Sequence, residues 1–375
     1  MNTIKNRSPR TEAHTPQVHT NRARRIAEEV AAAAKVPGMT VAVASPDEVL
    51  YADAIGYADL TQRRRASIED QYPWFSMTKI ATATAAVRLH ADGLLDLDTP
   101  IDTYLPTYRP HPRHGSPTTR QLLSHTAGLG NPLPIRWVRP EGDPEDPTLL
   151  TRILDKYGSA KRPIGTRAAY SNIGYLLAGA VMEAVTGRSV QDCVRRAVLD
   201  PLEMHQTGYS FQARKPRSVG HIRIPSAFVP LLRKALPAGL VRARTDGHTT
   251  LRPFLLSGAA YGGLVGSVTD AVRLAAAHAA NASDTHPILN QDDIENMRTI
   301  RATGKPFDHG TGWFRKPADT HRAPGFVEHY GTGVGYWNAM RIYPDQRLAM
   351  VAMTNTTFKW DVDGLFTGLQ ELSWH

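Results

Sequence analysis

Apolar and polar positions alternate along PGMTVAVAS, residues 37–45, and again along VLYADAIGYADL, residues 49–60. The period of two predicts two strands, and Pro46-Asp47-Glu48 between them predicts a turn. Upstream, NRARRIAEEVAAAAK places Ile26, Val30 and Ala33 or Ala34 at helical spacing. A helix followed by an antiparallel hairpin opens an α+β fold. From Ser76 the period changes to 3.6. Ile80, Ala83 or Thr84, Val87, Ala91 and Leu94 then share one face, and Gly93 ends the helix.

TTRQLLSHTAGLG reads as a short helix ended by Gly128. SNIGYLLAGAVMEAVTG sets Ile173, Leu176 or Leu177, Ala180, Val181 and Val185 on one face, with Gly187 as the cap. A further helix runs through SVQDCVRRAVLDPL. Segment 212–253 is basic, contains proline and shows no usable period. Helices resume at SVTDAVRLAAAHAA and NQDDIENMRTI. The chain then returns to strands in GTGWFR, FVEHYGTGVGYWNAMRIYP and QRLAMVAMTNTT, with YPDQR as a hairpin turn. No repeat occurs at solenoid periods.

Strands at both ends bracket helices in the middle. The expected fold is therefore α+β, with an antiparallel sheet flanked by helices and a second, mostly helical lobe. Residues 22–75 plus 255–375 form the expected sheet domain, 76–254 the helical lobe, and 1–21 a disordered tail.

Composition narrows the function. A chain of 375 residues buries enough surface to need no staple. The one cysteine, Cys193, has no internal partner and reads as a packed core thiol. His111, His114 and His125 are scattered, so no metal is expected, and no cofactor motif is present. GTGVGYW is glycine-rich, but no helix follows it, which excludes a dinucleotide site. The net charge is +9, yet the clusters RARR and QRRRA lack interleaved aromatics. No nucleic-acid partner is expected from them. No apolar run of signal-peptide or membrane-spanning length occurs, so the expectation is a cytoplasmic protein without a membrane partner.

Chemistry begins at Ser76 and Lys79. Three apart at a helix start, they share one face. The free amides there favour a neutral lysine and negative charge growing near the serine. A lysine of lowered pKa is one way to activate a serine. Ser-x-x-Lys alone is frequent by chance, and its bland reading is a capping serine with a solvated lysine. Two later stretches change the balance. Tyr170-Ser171-Asn172 stands immediately before a helix, and His329-Tyr330-Gly331 lies in a strand. No G-x-S-x-G elbow is present, which argues against an α/β-hydrolase.

In this order, S-x-x-K, Y-x-N and H-x-G, the sequence resembles the serine β-lactamase and DD-peptidase superfamily. It is most similar in type to class C β-lactamases, family VIII esterases and penicillin-binding-protein-like hydrolases. LLSHTAGL, YSNIGYLLAG and DPLEMHQTGY extend the resemblance over about residues 25–355. The resemblance implies a β-lactamase/transpeptidase-like fold. It implies Ser76 as an acylated nucleophile and Lys79 as the group that takes its proton or holds the Tyr170 phenol anionic. It implies Asn172 as a ligand of Lys79 and of substrate, and the backbone amides of Ser76 and Thr332 as an oxyanion hole. Gly331 would leave room for substrate at the strand edge. Without the resemblance, Tyr170 also reads as core, Asn172 as a helix cap and His329 as a sheet histidine. Family members often carry lysine where His329 stands. A neutral histidine there weakens the anchoring of a substrate carboxylate.

The expected function is a serine hydrolase cleaving an ester or amide of a small molecule or short peptide. Acyl transfer to an amine or alcohol, thioesterase-like cyclisation, β-lactamase or D-aminopeptidase action and a non-catalytic acyl sensor are the alternatives.

Overall fold

GMTVAVA, Gly38–Ala44, is buried on both faces, and it runs through the middle of the molecule as strand β1. The computed structural model describes residues 15–132, 137–144, 146, 148–281, 284 and 288–374. After β1 come β2 Val49–Asp59, β3 Arg64–Arg65, β4 Tyr72–Pro73, β5 Val138–Pro140, β6 His221–Arg223, β7 Val241–Thr245 and β8 His248–Leu251. Then follow β9 Phe254–Leu256, β10 Val265–Gly266, β11 Asp308–His309, β12 Phe314–Arg315, β13 Val327–Gly333, β14 Tyr336–Tyr343 and β15 Leu348–Thr354. The helices are α1 Thr15–Ala33, α2 Thr78–Ala91, α3 Thr119–Leu123, α4 Leu149–Tyr157, α5 Asn172–Thr186 and α6 Val190–Val194. They continue with α7 Val229–Ala235, α8 Ala259–Gly262, α9 Val268–Ala279, α10 Gln291–Arg298 and α11 Val362–Gln370.

One eight-stranded sheet has the order β11-β12-β13-β14-β15-β1-β2-β3. β1 pairs antiparallel with β15, Met39 opposite Thr354 and Ala44 opposite Ala349. The two ends of the chain thus meet at the sheet centre, the α+β arrangement expected from the strand pattern. Alternation sorts the two faces. Met39, Val41, Val43, Met350 and Ala352 join the core beneath α1 and α11. Ala42, Ala44, Ala349, Val351 and Met353 face the larger core with α9. These small side chains let the alanine-rich α9 lie close to the sheet.

Five elements differ from the sequence reading. α1 starts at Thr15, inside the segment expected as tail; residues 1–14 of that segment lie outside the described residues. α2 is buried on every side from Thr78 to Val87 rather than along one stripe. Its threonines are satisfied internally: Thr82 Oγ1 donates to the Ala260 carbonyl (2.8 Å) and Thr84 Oγ1 to that of Ile80 (2.8 Å). Leu94 lies beyond the helix and is exposed. α3 is a single turn with a Thr118/Gln121 capping box, and it stops well before Gly128 because His125 adopts φ +61°. Segment 212–253 is ordered: β6, β8 and β7 form a small sheet whose β7–β8 turn is Asp246-Gly247. α11, which carries no strong period, is capped by Asp361. Among the described residues no helix is long and apolar enough to cross a membrane.

A buried ion pair fastens β13, the strand that carries His329 to Thr332. Glu328 and Arg341 face each other across β13 and β14, both without solvent contact. Arg341 Nη2 lies 2.6 Å from Glu328 Oε2 and 2.5 Å from Asp363 Oδ1, and its guanidinium covers the Phe326 ring at 3.9 Å. Removing Glu328 strips two charge-assisted hydrogen bonds from buried Arg341 and leaves it Asp363 as its remaining carboxylate. Glu328→Ala is expected to destabilise the fold by about 1.5–3 kcal/mol in urea unfolding, and Glu328→Ala with Arg341→Met by clearly less.

Candidate active site

From Asp70 to Val87 every residue is buried except Ser76, which is half-buried. The local backbone produces that single opening. The Trp74 amide donates to the Leu264 carbonyl (2.8 Å), and Phe75 takes φ +49°, a left-handed conformation unusual for a bulky residue. A 3-10 turn, Phe75–Met77, then leads into α2. β13 lies against this turn. A Cβ on Gly331 would stand 2.0 Å from the Trp74 carbonyl oxygen, and one on Gly333 would stand 2.0 Å from the Phe75 ring. Gly331 therefore serves the close approach of the nucleophile turn to the strand, rather than room for substrate. Past Glu328 the β12 pairing ends, and Thr332 is exposed beside the turn.

Lys79 has no solvent contact. Its Nζ is 3.1 Å from Ser76 Oγ, 2.8 Å from Asn172 Oδ1 and 2.9 Å from the Tyr261 carbonyl. The rings of Tyr170, Tyr175 and Tyr261 surround it at 5.0, 5.3 and 5.3 Å. Burial alone pushes its pKa well below the ordinary lysine value. Its three partners are an amide oxygen and a carbonyl, which only accept, and a hydroxyl, which can accept or donate. Nζ donates to Asn172 and Tyr261, and as a neutral amine it can turn its lone pair toward Ser76 O–H.

Tyr170 and Asn172 reach this amine from the start of α5. Ser171 is the cap, accepting from the Gly174 amide (3.3 Å), so Asn172 is free of the capping role considered from sequence. Its own amide is held by Asn131 Oδ1 (3.0 Å). His125 clamps the approach: its carbonyl accepts from the Ala169 amide (2.8 Å) and its Nδ1 from the Ser171 amide (3.1 Å). That bond puts the ring proton on Nε2. The His125 ring lies 4.4 Å from that of Tyr170. Burial raises the Tyr170 pKa, and a hydrogen bond with Ser76 opposes this only in part. Burial thus favours the neutral phenol, and Lys79 Nζ sits over its ring face at 5.0 Å.

His329 is buried, and its Nδ1 donates to the Tyr330 carbonyl (2.9 Å). Its Nε2 is left as a buried acceptor without a partner. The ring packs 4.8 Å from Phe314 and 6.3 Å from Tyr170. Burial pushes its pKa well below the ordinary histidine value. His309 completes the group, with its ring edge-on to His125 at 4.7 Å and burial lowering its pKa to about 4. Three neutral histidines thus wall Tyr170. Among the described residues no group of side chains is arranged to hold a metal.

Ser76, Lys79, Tyr170 and Asn172 therefore converge, with β13 beside them. The β-lactamase family model matches residues 23–370. The chain belongs to the β-lactamase family. Esterase EstB of Burkholderia gladioli is 26% identical over 351 residues, covering 87% of this chain and 87% of its own. The crystal structure of SurE with D-Leu matches with a TM-score of 0.70 at 26% identity, covering 94% of this chain and 74% of that one. D-amino acid amidase from Ochrobactrum anthropi SV3, complexed with L-phenylalanine amide, matches with a TM-score of 0.74 at 23% identity, covering 94% and 99%. The β-lactamase family assignment and these relatives identify the protein as a serine hydrolase.

Four participants were not picked out from sequence: the Tyr261 carbonyl, the Tyr175 ring, His125 and His309. LLSHTAGL contains His125, and the glycines around Tyr261 in GAAYGG signal a tight loop, but neither pattern names a partner for Lys79. The histidine wall has a measurable consequence. A histidine whose folded pKa lies below its unfolded value keeps the fold intact above about pH 6.5 and weakens it as pH falls. For His309, with a folded value of about 4, the loss between about pH 7.5 and about pH 5 is on the order of 2 kcal/mol. Urea unfolding at the two pH values is expected to show His309→Gln losing less stability on acidification than the wild type by about that amount.

Proposed function

We propose that this β-lactamase-family hydrolase cleaves a small neutral ester or amide through an acyl-enzyme on Ser76, with neutral Lys79 as the base. The observation that carries the reading is the Lys79 hydrogen-bond set: two fixed acceptors and the Ser76 hydroxyl around an amine without solvent contact, whose pKa burial lowers. Lys79 Nζ takes the Ser76 proton as Oγ bonds to the substrate carbonyl carbon. The C=O electron pair moves to oxygen, where the amides of Ser76 and Thr332 receive it. The intermediate collapses, the bond to the leaving group breaks, and Tyr170 Oη–H supplies the departing atom's proton. The Lys79 ammonium then restores the phenol. Water repeats the sequence on the acyl-enzyme, so the site ends as it began.

Tyr170 acts here as a general acid, the role a neutral phenol with a raised pKa can fill. The substrate class follows from His329. Its bare, uncharged Nε2 gives a carboxylate nothing to bind, whereas an ester or amide without that group loses nothing. The name of EstB, an esterase similar over 87% of both chains, supports the same class.

Ser76→Ala is expected to abolish both aryl-ester turnover and the intact-mass adduct with a serine-directed phosphonate. An adduct of undiminished yield would remove Ser76 from the mechanism. Tyr170→Phe separates acid from base. A p-nitrophenolate leaves without a proton, while an alkoxide does not. The variant should lose roughly 10²–10⁴-fold in kcat/KM on alkyl esters and at least tenfold less than that on p-nitrophenyl esters. Equal losses on both would make Tyr170 a base or a packing group.

A further inference from the structure

Segment 212–253 holds nine Lys/Arg against one acidic residue, Asp246, a net charge of +8 out of the chain's +9. The rest of the molecule is therefore close to neutral. Some of this charge is spent: Lys215 pairs with Glu69 (3.3 Å), Arg217 with Glu141 and Arg242 with Asp59 (3.8 Å). Arg233 and Lys234, on α7, are exposed and have no acidic partner among the described residues.

α7 is apolar on two sides. Leu232 and Leu236 turn inward and pack on the main core. Phe228 and Leu231, three residues apart, turn outward and are 56% and 64% exposed. Phe358 is also exposed, at 41%, and Arg223 of β6 covers its ring at 5.6 Å. A water-facing surface gains nothing from bare phenylalanine and leucine. Nucleic acid would use the cations but not the aliphatic Leu231. A bilayer surface uses both: apolar side chains enter the headgroup boundary while Arg and Lys stay at the anionic headgroups. We infer that the outer face of α7, with its Arg/Lys rim, docks this enzyme onto a lipid bilayer that carries anionic headgroups. The sequence alone gave no membrane partner, because the +8 segment shows no helical period there and its exposed residues emerge only on folding.

The surface is joined to the catalytic side of the molecule. The Ser218 carbonyl accepts from Tyr336 Oη (2.9 Å), and Gly220 packs against Gly335 so tightly that a Cβ on Gly335 would stand 2.8 Å from the Gly220 Cα. Gly335 and Tyr336 lie one residue beyond Gly333, at the start of β14.

The test is co-sedimentation of the full chain with vesicles of phosphatidylcholine alone and with added phosphatidylglycerol. Binding is expected only with phosphatidylglycerol, at least tenfold above phosphatidylcholine, and weaker in salt. Arg233→Glu with Lys234→Glu and, separately, Phe228→Ser with Leu231→Ser should each weaken it by roughly tenfold. Hydrolysis of a soluble aryl ester should stay unchanged in both double variants, which also reports that they fold. Equal binding to both vesicles, no binding, or binding insensitive to either pair would overturn the proposal. Loss with the charge pair alone, accompanied by competition from DNA, would reassign the surface to nucleic acid and overturn it as well.

Discussion

An amine without solvent contact must either lose its proton or be compensated by a negative charge. No carboxylate contributes to the environment of Lys79; burial alone sets its pKa direction. Much of the architecture serves that one condition. α2 is buried on all sides, so its first turn lies inside the protein. α5 delivers Asn172, the short helix α8 delivers the Tyr261 carbonyl, and three tyrosine rings exclude water. A desolvated lysine is expensive to hold, and it persists because each of its hydrogen bonds is made.

The sheet supplies the second constraint, which is distance. Gly331 and Gly333 allow β13 to lie against the turn before α2, and the Glu328–Arg341 pair fixes β13 on β14. Any side chain at residue 331 would push the strand away from Trp74. The left-handed Phe75 and the bare strand together leave Ser76 as the one partly open residue in its stretch. Sheet and helical lobe thus meet where the proposed chemistry takes place.

The fold was legible where a period is strong. β1 and β2 were read from alternation, β14 and β15 as strand-like runs on either side of the YPDQR turn, and α5 carries both its Ser171 start and its Gly187 stop in the sequence. The ordered motifs brought Ser76, Lys79, Tyr170 and Asn172 into view, and the structure sets them together. What stayed hidden depends on tertiary contact. Tyr261 acts through its carbonyl, which every residue has. His125 acts by gripping the segment before α5, and its helix breaks at a φ that no composition announces. The Asp246-Gly247 turn was a readable hairpin signal in a segment whose many arginines and prolines obscured it. The role of Gly331 needed the Trp74 carbonyl, which lies far away in sequence.

The central claim is that Lys79 is a neutral amine in the resting enzyme. Its most direct measurement is the NMR titration of the Lys79 side chain in protein labelled at lysine Cε, assigned by comparison with Lys79→Arg. The account predicts a Lys79 resonance that titrates well below the exposed lysines and reads as uncharged at the pH where the enzyme turns over. A Lys79 that titrates together with the exposed lysines would contradict it.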